Sequence, residues 1–433
     1  MGRKKVKQTI PLNENAEKCL QDLHSMPIFR LSLGSKELFH SNFLEYLWDC
    51  DKESFKEIIR NLCGDNQVLT ADQKYFISRE KENFDVCIYH TSNNEEDGKA
   101  VYDVIIENKV KSIPYKEQLA EYVGKVADKK QEKSPAYLLL SLAKDFPDKE
   151  DEEIKDTWKV VHYGTLRDAI WAQEKWRSEP FVEEYCDFIK TLDELGAAIL
   201  DGMDREYLFP NVEDYKKERL HDLYIKMRCS WFATALKTEL GKNIDKRKIR
   251  IVSKYEERLP DCVNLNVAMN QGNGQIAAWI CDRNMNTFEI VIQGDQYRHG
   301  INQIGIKESK SKEIENDYYQ VKENDRAFFN HFVLNWLYGR LEKLQDVNAY
   351  NFLNFLDGFN CFNSNQSDIR PESKKEKVYY FRKTKTPKAG PFDCYSDDYI
   401  YRYVSISNCT VQTLRDKMLN DILRIFHNLP DLS

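Results

Sequence analysis

The sequence has no apolar stretch that approaches the roughly 20 residues needed to span a bilayer. Its first residues, MGRKKVKQTIPLNENAEK, also lack the apolar run of a signal peptide. We therefore expect a cytoplasmic protein with no membrane partner.

The eleven cysteines form no CxxC pair and no Cys/His spacing suited to zinc, which argues against a zinc knuckle or a disulfide framework. A positive charge excess is also missing, since the formal net charge is -7. This balance argues against a protein coated in positive charge. Any contact with nucleic acid is therefore expected to be local.

What the chain does have is 41% hydrophobic residues over 433 positions, enough for two buried cores. The helical pattern lapses around Gly202 and Pro210. We therefore predict two domains, residues 1–200 and 201–433.

The first half alternates between helical and extended patterns. ELFHSNFLEYLWD has apolar residues at helical spacing, and three extended segments follow, ending in FDVCIYH and KAVYDVIIENKV. A helical stretch, YKEQLAEYVGKVADKK, precedes the strand AYLLLSL, which must join the sheet by a crossover. The prediction is an α/β fold in which helices flank a mixed sheet with a three-strand meander. The acidic tract DFPDKEDEEIKD is predicted to be a solvated loop.

The second half contains extended runs such as VNLNVAM, QIAAWICD and TFEIVIQ. A long helix is predicted over DRAFFNHFVLNWLYGRLEKLQD and a final one from about CTVQTLRDKM. This pattern predicts an α+β domain of unassigned topology, with a role in recognising nucleic acid or a partner.

Two carboxylates on neighbouring strands of the first half suggest chemistry. In a tight antiparallel hairpin the turn lies midway between paired residues. Residue 96 lies midway between Asp85 and Glu107, inside the polar loop SNNEEDGK, so the register can place the two side by side. Lys109 follows Glu107 by two positions and therefore faces the same side. Such carboxylates could bind the hard cations that phosphodiester hydrolysis uses.

These residues resemble a known family. FD at Asp85, IIENKV at 105–110, the following YKEQLAEY and the earlier ELFHSNFLEYL look like the PD-(D/E)XK nuclease superfamily, in a restriction-endonuclease-like fold over about residues 30–195. The resemblance implies that Asp85 and Glu107 are metal ligands, that Lys109 is the catalytic lysine and that Glu37 completes the metal site. Gln118 and Tyr122 are weaker matches, as residues that touch the site or the substrate. Phe84 stands where the family motif has proline.

Each assignment has an alternative interpretation. Asp85, Glu107 and Lys109 can form an ordinary cross-strand ion-pair group, and Glu37 can simply favour its helix N-terminus. Gln118 and Tyr122 can lie on a helix surface. His40 is predicted to be a packing or hydrogen-bonding residue.

A basic stretch in the second half, SKKEKVYYFRKTKTPK, has seven Lys/Arg against one Glu between residues 374 and 388. A phosphate backbone is one partner for it, and a solvated loop is the alternative. The candidate contact residues are Lys374, Lys375, Arg382, Lys383 and Lys385.

Together these observations favour a Mg²⁺-dependent nuclease, in which Mn²⁺ is expected to substitute. DNA is favoured over RNA as substrate, and the resemblance suggests an endonuclease in bacterial defence. Cutting both strands of a duplex needs two active sites, so a homodimer is one arrangement that provides them. The alternative is a nuclease-like scaffold that binds nucleic acid or a protein without cutting.

Overall fold

The computed structural model describes residues 11–302 and 393–428. Short gaps within these ranges fall at 35, 66–67, 93–94, 97, 113, 148, 150, 271, 282, 284–286, 397–398 and 407–408. The chain divides into two compact units. The first comprises Met1–Gly202 and Phe209–Trp231, and the second comprises Met203–Leu208 and Phe232–Ser433.

The first unit contains one five-stranded sheet and most of the helices. The strands are β1 (Phe76–Arg79), β2 (Val86–Thr91), β3 (Ala100–Lys109), β4 (Ala136–Ser141) and β5 (Trp158–His162). The helices are α1 (Glu14–Ser25), α2 (Pro27–Leu31), α3 (Glu37–Cys50), α4 (Lys52–Cys63), α5 (Lys116–Ala127), α6 (Glu152–Thr157), α7 (Tyr163–Trp171), α8 (Glu174–Arg177), α9 (Pro180–Leu200) and α10 (Val212–Lys217). Helix α11 (His221–Leu240) has residues in both units.

The sheet has the order β1-β2-β3-β4-β5. Strands β1, β2 and β3 pair antiparallel, whereas β3, β4 and β5 pair parallel, so the sheet is mixed. Parallel pairing of β3 with β4 requires a crossover, and α5 lies between them in the chain. The predicted α/β fold with a meander and a crossover strand is confirmed.

The centre of this sheet is buried on both faces. Val104, Ile105 and Ile106 of β3 are fully buried, which explains their nearly continuous apolar run. Helices α3, α4 and α7 cover one face, and α9 packs behind α7 and beside α1. Side chains of α5 contact the opposite face.

The acidic tract is not entirely a loop, so that prediction was wrong in part. Helix α6 covers its end, and Ile154 within this helix is buried. Asp151 also pairs with Lys116 at 3.2 Å, which ties the tract to α5. Two buried apolar side chains, Phe146 and Ile154, anchor this acidic segment, because their burial offsets the cost of ordering it.

The second unit contains a seven-stranded mixed sheet with the order β11-β12-β10-β9-β8-β7-β6. Its strands are β6 (Ile249–Ile251), β7 (Val263–Asn270), β8 (Asn273–Cys281), β9 (Thr287–Gln293), β10 (Gln296–Asn302), β11 (Asp393–Ser396) and β12 (Tyr399–Ser405). The last described helix is α12 (Val411–Asn428), which packs on β8 and β9. The helix predicted over DRAFFNHFVLNWLYGRLEKLQD lies outside the described residues.

Candidate active site

The β2–β3 hairpin brings the two predicted carboxylates together. Val86 pairs with Ile106, so the preceding Asp85 stands opposite Glu107, as the midpoint at residue 96 predicted. Toward the turn the register shifts by one residue at a bulge between Ile88 and Tyr89, which the sequence did not indicate. The bulge lies away from Asp85 and leaves the pairing at the site intact.

Three polar residues at the end of β3 are buried. Glu107 is 1% exposed, Asn108 0% and Lys109 6%. Removing charged groups from water is costly unless partners or a ligand compensate. This burial therefore distinguishes the group from an ordinary ion pair at a sheet edge.

Glu107 has very different surroundings at its two oxygens. Oε1 lies 2.5 Å from Lys109 Nζ and accepts a hydrogen bond of 3.0 Å from Gln118 Nε2 on α5. The same Gln118 nitrogen lies 3.1 Å from the Tyr122 hydroxyl. Oε2 is buried and receives no hydrogen bond from any described residue. Glu107 therefore has one oxygen with two donors and one without a donor among the described residues.

Electrostatics agree with this asymmetry. Burial raises the pKa of Glu107 to about 7; the Lys109 charge opposes the shift and the Asp85 charge adds to it. Burial also raises the pKa of Asp85, against the hydrogen bond of 2.7 Å that the Asn108 backbone N–H donates to its Oδ2. Two neighbouring carboxyls that both resist ionisation form a place where a cation would be stabilised.

The donor set suits a hard divalent cation. Carboxylate oxygens are the ligands that Mg²⁺ prefers, and Mg²⁺ commonly uses one or two carboxylates while keeping several waters. Asp85 and Glu107, whose Oε2 lacks a donor among the described residues, fit that requirement. Within the described ranges no group of three or more His, Cys, Asp or Glu side chains is arranged to hold a metal ion.

Glu37, the third predicted ligand, lies at the turn that follows β3. Its Oε1 accepts hydrogen bonds from the backbone N–H groups of Val110, Lys111 and Ser112, at 3.1, 3.1 and 2.9 Å, and from the Ser112 hydroxyl. The structure thus places Glu37 beside the predicted catalytic strand, with one oxygen engaged by four donors. Its metal role stays a prediction.

Asn108 is a residue that the sequence analysis missed. Its side chain points away from Glu107. It donates a hydrogen bond of 2.6 Å to Ser41 Oγ on α3 and accepts one of 3.0 Å from the Tyr163 hydroxyl on α7. Its backbone N–H meanwhile holds Asp85. Asn108 therefore links the core helices to the candidate ligands. The sequence signal that could have indicated this role is a single amide within an otherwise apolar strand.

His40 is a packing residue, as predicted. It is fully buried, its ring stacks on Phe188, and Nδ1 lies 3.0 Å from the Tyr185 hydroxyl. Burial, together with the Lys111 charge, lowers the pKa of His40 to about 3, so the imidazole is neutral at physiological pH.

The predicted basic contact residues fall in the part of the chain that the structure does not describe. These are Lys374, Lys375, Arg382, Lys383 and Lys385. Their assignment stays a prediction.

Residues 28–187 match the family model of the PD-(D/E)XK nuclease superfamily. The match covers a segment of the chain, and this segment contains Glu37, Asp85, Glu107, Lys109 and Gln118. It confirms the resemblance and, with the mixed sheet, the fold class. Nothing among the curated proteins or the solved structures matches this chain.

The PD-(D/E)XK match indicates nuclease chemistry on nucleic acid, and nucleases of this superfamily generally use divalent metal ions. Among the described helices, none is both long enough and apolar enough to cross a membrane.

Proposed function

We propose that this chain is a divalent-metal-dependent nuclease, with Mg²⁺ as the metal and DNA favoured over RNA. The observation that carries the proposal is the buried Glu107 Oε2, which lacks a hydrogen-bond donor among the described residues and stands beside Asp85. A buried oxygen of this kind is costly unless a ligand compensates for it.

Asp85 and Glu107 would hold the cation. When bound, it would neutralise charge on the phosphate and make an attacking water more acidic. Gln118 holds Glu107 Oε1 in place, and the Asn108 N–H holds Asp85 Oδ2, so both carboxylates have fixed orientations. These contacts agree with a preorganised binding site.

Lys109 would act on the reacting groups. Its ammonium, now 2.5 Å from Glu107 Oε1, can donate to the attacking water or to a phosphate oxygen. The water oxygen would form a bond to phosphorus as the bond to the leaving oxygen breaks, and the proton of the water would pass to solvent. The products are a phosphomonoester and an alcohol, without a covalent intermediate.

Glu37 has two proposed roles. As a ligand it would extend the carboxylate set, whereas its four hydrogen bonds to residues 110–112 favour a role in holding the turn after β3. We keep metal ligation as the role that the family resemblance implies. A homodimer that cuts both strands and a function in defence against foreign DNA are proposals that rest on the same resemblance.

The closed Lys109–Glu107 ion pair favours a second candidate. In a non-catalytic scaffold the lysine would simply neutralise its partner, and the chain would bind nucleic acid or a protein without cutting. The second oxygen of Glu107 speaks against it, because Oε2 is buried without a donor among the described residues and a purely structural pair would leave it uncompensated.

The deciding experiment incubates the full chain with plasmid, linear duplex, single-stranded DNA and RNA in Mg²⁺, Mn²⁺ or EDTA. Asp85→Ala and Lys109→Ala should abolish metal-dependent cleavage. Asp103→Ala is the matched control, since Asp103 lies on the same strand but pairs with His90 at 2.7 Å. Inert wild type on every substrate, with no Mn²⁺ binding by calorimetry, would favour the scaffold.

A further inference from the structure

A small cleft in the first unit has an excess of cationic side chains. Its volume is about 270 Å³, and its walls include Arg30, Lys217 and Arg219 together with His24 and one carboxylate, Glu218. That carboxylate lies 3.0 Å from His24 Nδ1. The cleft therefore presents more positive than negative charge.

Two of these cations have no ion-pair partner in the described part of the chain. Lys217 pairs with Asp214 at 3.0 Å, whereas neither Arg30 nor Arg219 forms a salt bridge with a described residue. Both arginines are exposed to solvent. Two arginines that line one cleft, with no ion-pair partner among the described residues, give it a positive potential that would favour an anion.

Two non-glycine residues that line the cleft have positive φ. Leu33 and Arg219 have φ values of 53° and 59°, in the left-handed region that side chains other than glycine rarely adopt. Gly34, with φ of 78°, approaches so closely that an added Cβ would lie 2.8 Å from Arg219 Cβ. Strain of this kind persists where the surrounding structure enforces it, commonly at ligand-binding segments.

The cleft is joined to the candidate active site. Lys111, two residues beyond Lys109, donates a hydrogen bond of 2.9 Å from Nζ to the Arg219 carbonyl. The same turn is bound to Glu37 through its backbone N–H groups. One wall of the cleft is therefore fixed to the strand that carries Glu107 and Lys109.

We propose that this cleft binds a backbone phosphate of the nucleic acid, next to the phosphate that is cut. The inference rests on the proposed function. The volume of about 270 Å³ is below the roughly 300–1,000 Å³ of ordinary ligand pockets, so a phosphate group fits better than a whole organic ligand. Guanidinium groups bind phosphate oxygens in pairs, which suits Arg30 and Arg219.

The test removes both guanidinium groups. The double variant Arg30→Gln/Arg219→Asn keeps a residue at position 219 that tolerates positive φ. Lys18→Gln/Lys190→Gln is the matched control, because it also removes two exposed cations from this unit at positions that line neither the cleft nor the candidate site. Binding of fluorescein-labelled duplex DNA, single-stranded DNA and RNA is measured by anisotropy in EDTA over a salt series.

Loss of one phosphate contact should reduce the slope of log affinity against log salt by about 1 in the double variant. The control should keep the wild-type slope. With Mg²⁺ present, KM should rise about 10-fold while kcat at saturating substrate stays unchanged. Equal slopes for the double variant and the control would overturn the proposal. Binding of labelled polyglutamate is measured in the same assay. If the double variant lost polyglutamate binding but kept nucleic-acid binding, the proposal would also be overturned, and the cleft would be assigned to an acidic protein.

The binding arm needs no cleavage, so the two proposals can fail separately. A reduced slope in a protein that cuts nothing would support the cleft and reject the nuclease. Metal-dependent cutting by the wild type, with an unchanged salt slope in the double variant, would support the nuclease and reject the cleft.

Discussion

Each unit of this chain contains a buried charged cluster, and the two clusters differ in how their carboxylates are satisfied. In the second unit, Asp421 Oδ2 on α12 accepts a hydrogen bond of 2.6 Å from the Tyr297 hydroxyl. The same oxygen lies 2.7 Å from His299 Nε2. Lys417 donates to Oδ1 at 2.9 Å. In the first unit, Glu107 Oε2 has no such donor among the described residues.

The pKa shifts follow from this difference. Burial raises the pKa of Asp421, but the nearby His299 and Lys417 charges and the hydrogen bonds outweigh it and lower the pKa to about 2. For Glu107 burial wins, and the pKa rises to about 7. Burial of a charged residue alone therefore does not indicate a ligand site; Glu107 differs from Asp421 in having one oxygen without a donor among the described residues, beside a second carboxylate.

The largest effect is expected in the satisfied cluster. Asp421→Asn would leave the His299 and Lys417 side chains buried beside a neutral amide, which should cost about 3–5 kcal/mol of unfolding free energy. Urea unfolding followed by circular dichroism measures it. A loss no larger than that of an exposed control such as Asp416→Asn would show that the cluster contributes little.

Glu107→Gln should reduce activity without reducing stability, the opposite of the effect expected for Asp421→Asn. Cleavage should fall by about 10²–10³-fold, because the amide binds a cation poorly, while thermal stability should hold or rise because no buried carboxylate needs to ionise. Metal-dependent cleavage and thermal unfolding are measured on the same preparation. A destabilised Glu107→Gln variant would mean that both clusters are structural.

A smaller effect is expected at Gln118, which supports Glu107 from α5. Gln118→Ala should weaken Mn²⁺ binding by about 10- to 100-fold, as for other residues that orient a metal ligand. Calorimetry with Mn²⁺ gives the affinity directly. Gln73→Ala, far from α5 in sequence and exposed in part, serves as the control and should leave the affinity unchanged.

The smallest effect is the opposite pH dependence of the two clusters in the absence of divalent cations. The pKa of Glu107 rises from 4.5 to about 7, so its contribution to stability is lost as pH increases through that window. The pKa of Asp421 falls from 3.8 to about 2, so its contribution is lost as pH decreases through that window. The free energy of unfolding is measured across pH for the wild type, Glu107→Gln and Asp421→Asn. Each variant should lose the pH dependence contributed by its own carboxyl group. A variant that keeps the wild-type pH dependence would contradict the assignment for that residue.

The hairpin and its register could be predicted because both depend on local rules. A period of two and a turn midway between paired strands were enough to place Asp85 opposite Glu107. Helix α4 was missed although Asp51 caps its first turn and Gly64, with φ of 70°, ends it. Both signals are in the sequence and would have predicted that helix.

The contacts of Asn108 and Glu37 depend on tertiary structure. No spacing rule relates Asn108 to Ser41 and Tyr163, which are distant in sequence and meet only when α3 and α7 pack on the sheet. The four donors that engage Glu37 Oε1 likewise come from a turn more than 70 residues away in sequence. Such pairings follow from the packed fold rather than from a pattern along the chain.

Asn108 has one further consequence. The backbone N–H that orients Asp85 belongs to the same residue whose side-chain amide joins two core helices, so the orientation of Asp85 is tied to the packing of both helices. A nascent or partly unfolded chain would carry all the reactive side chains without the alignment between them. If Asp85 acts in the proposed cleavage, activity should therefore appear only once α3 and α7 have packed on the sheet.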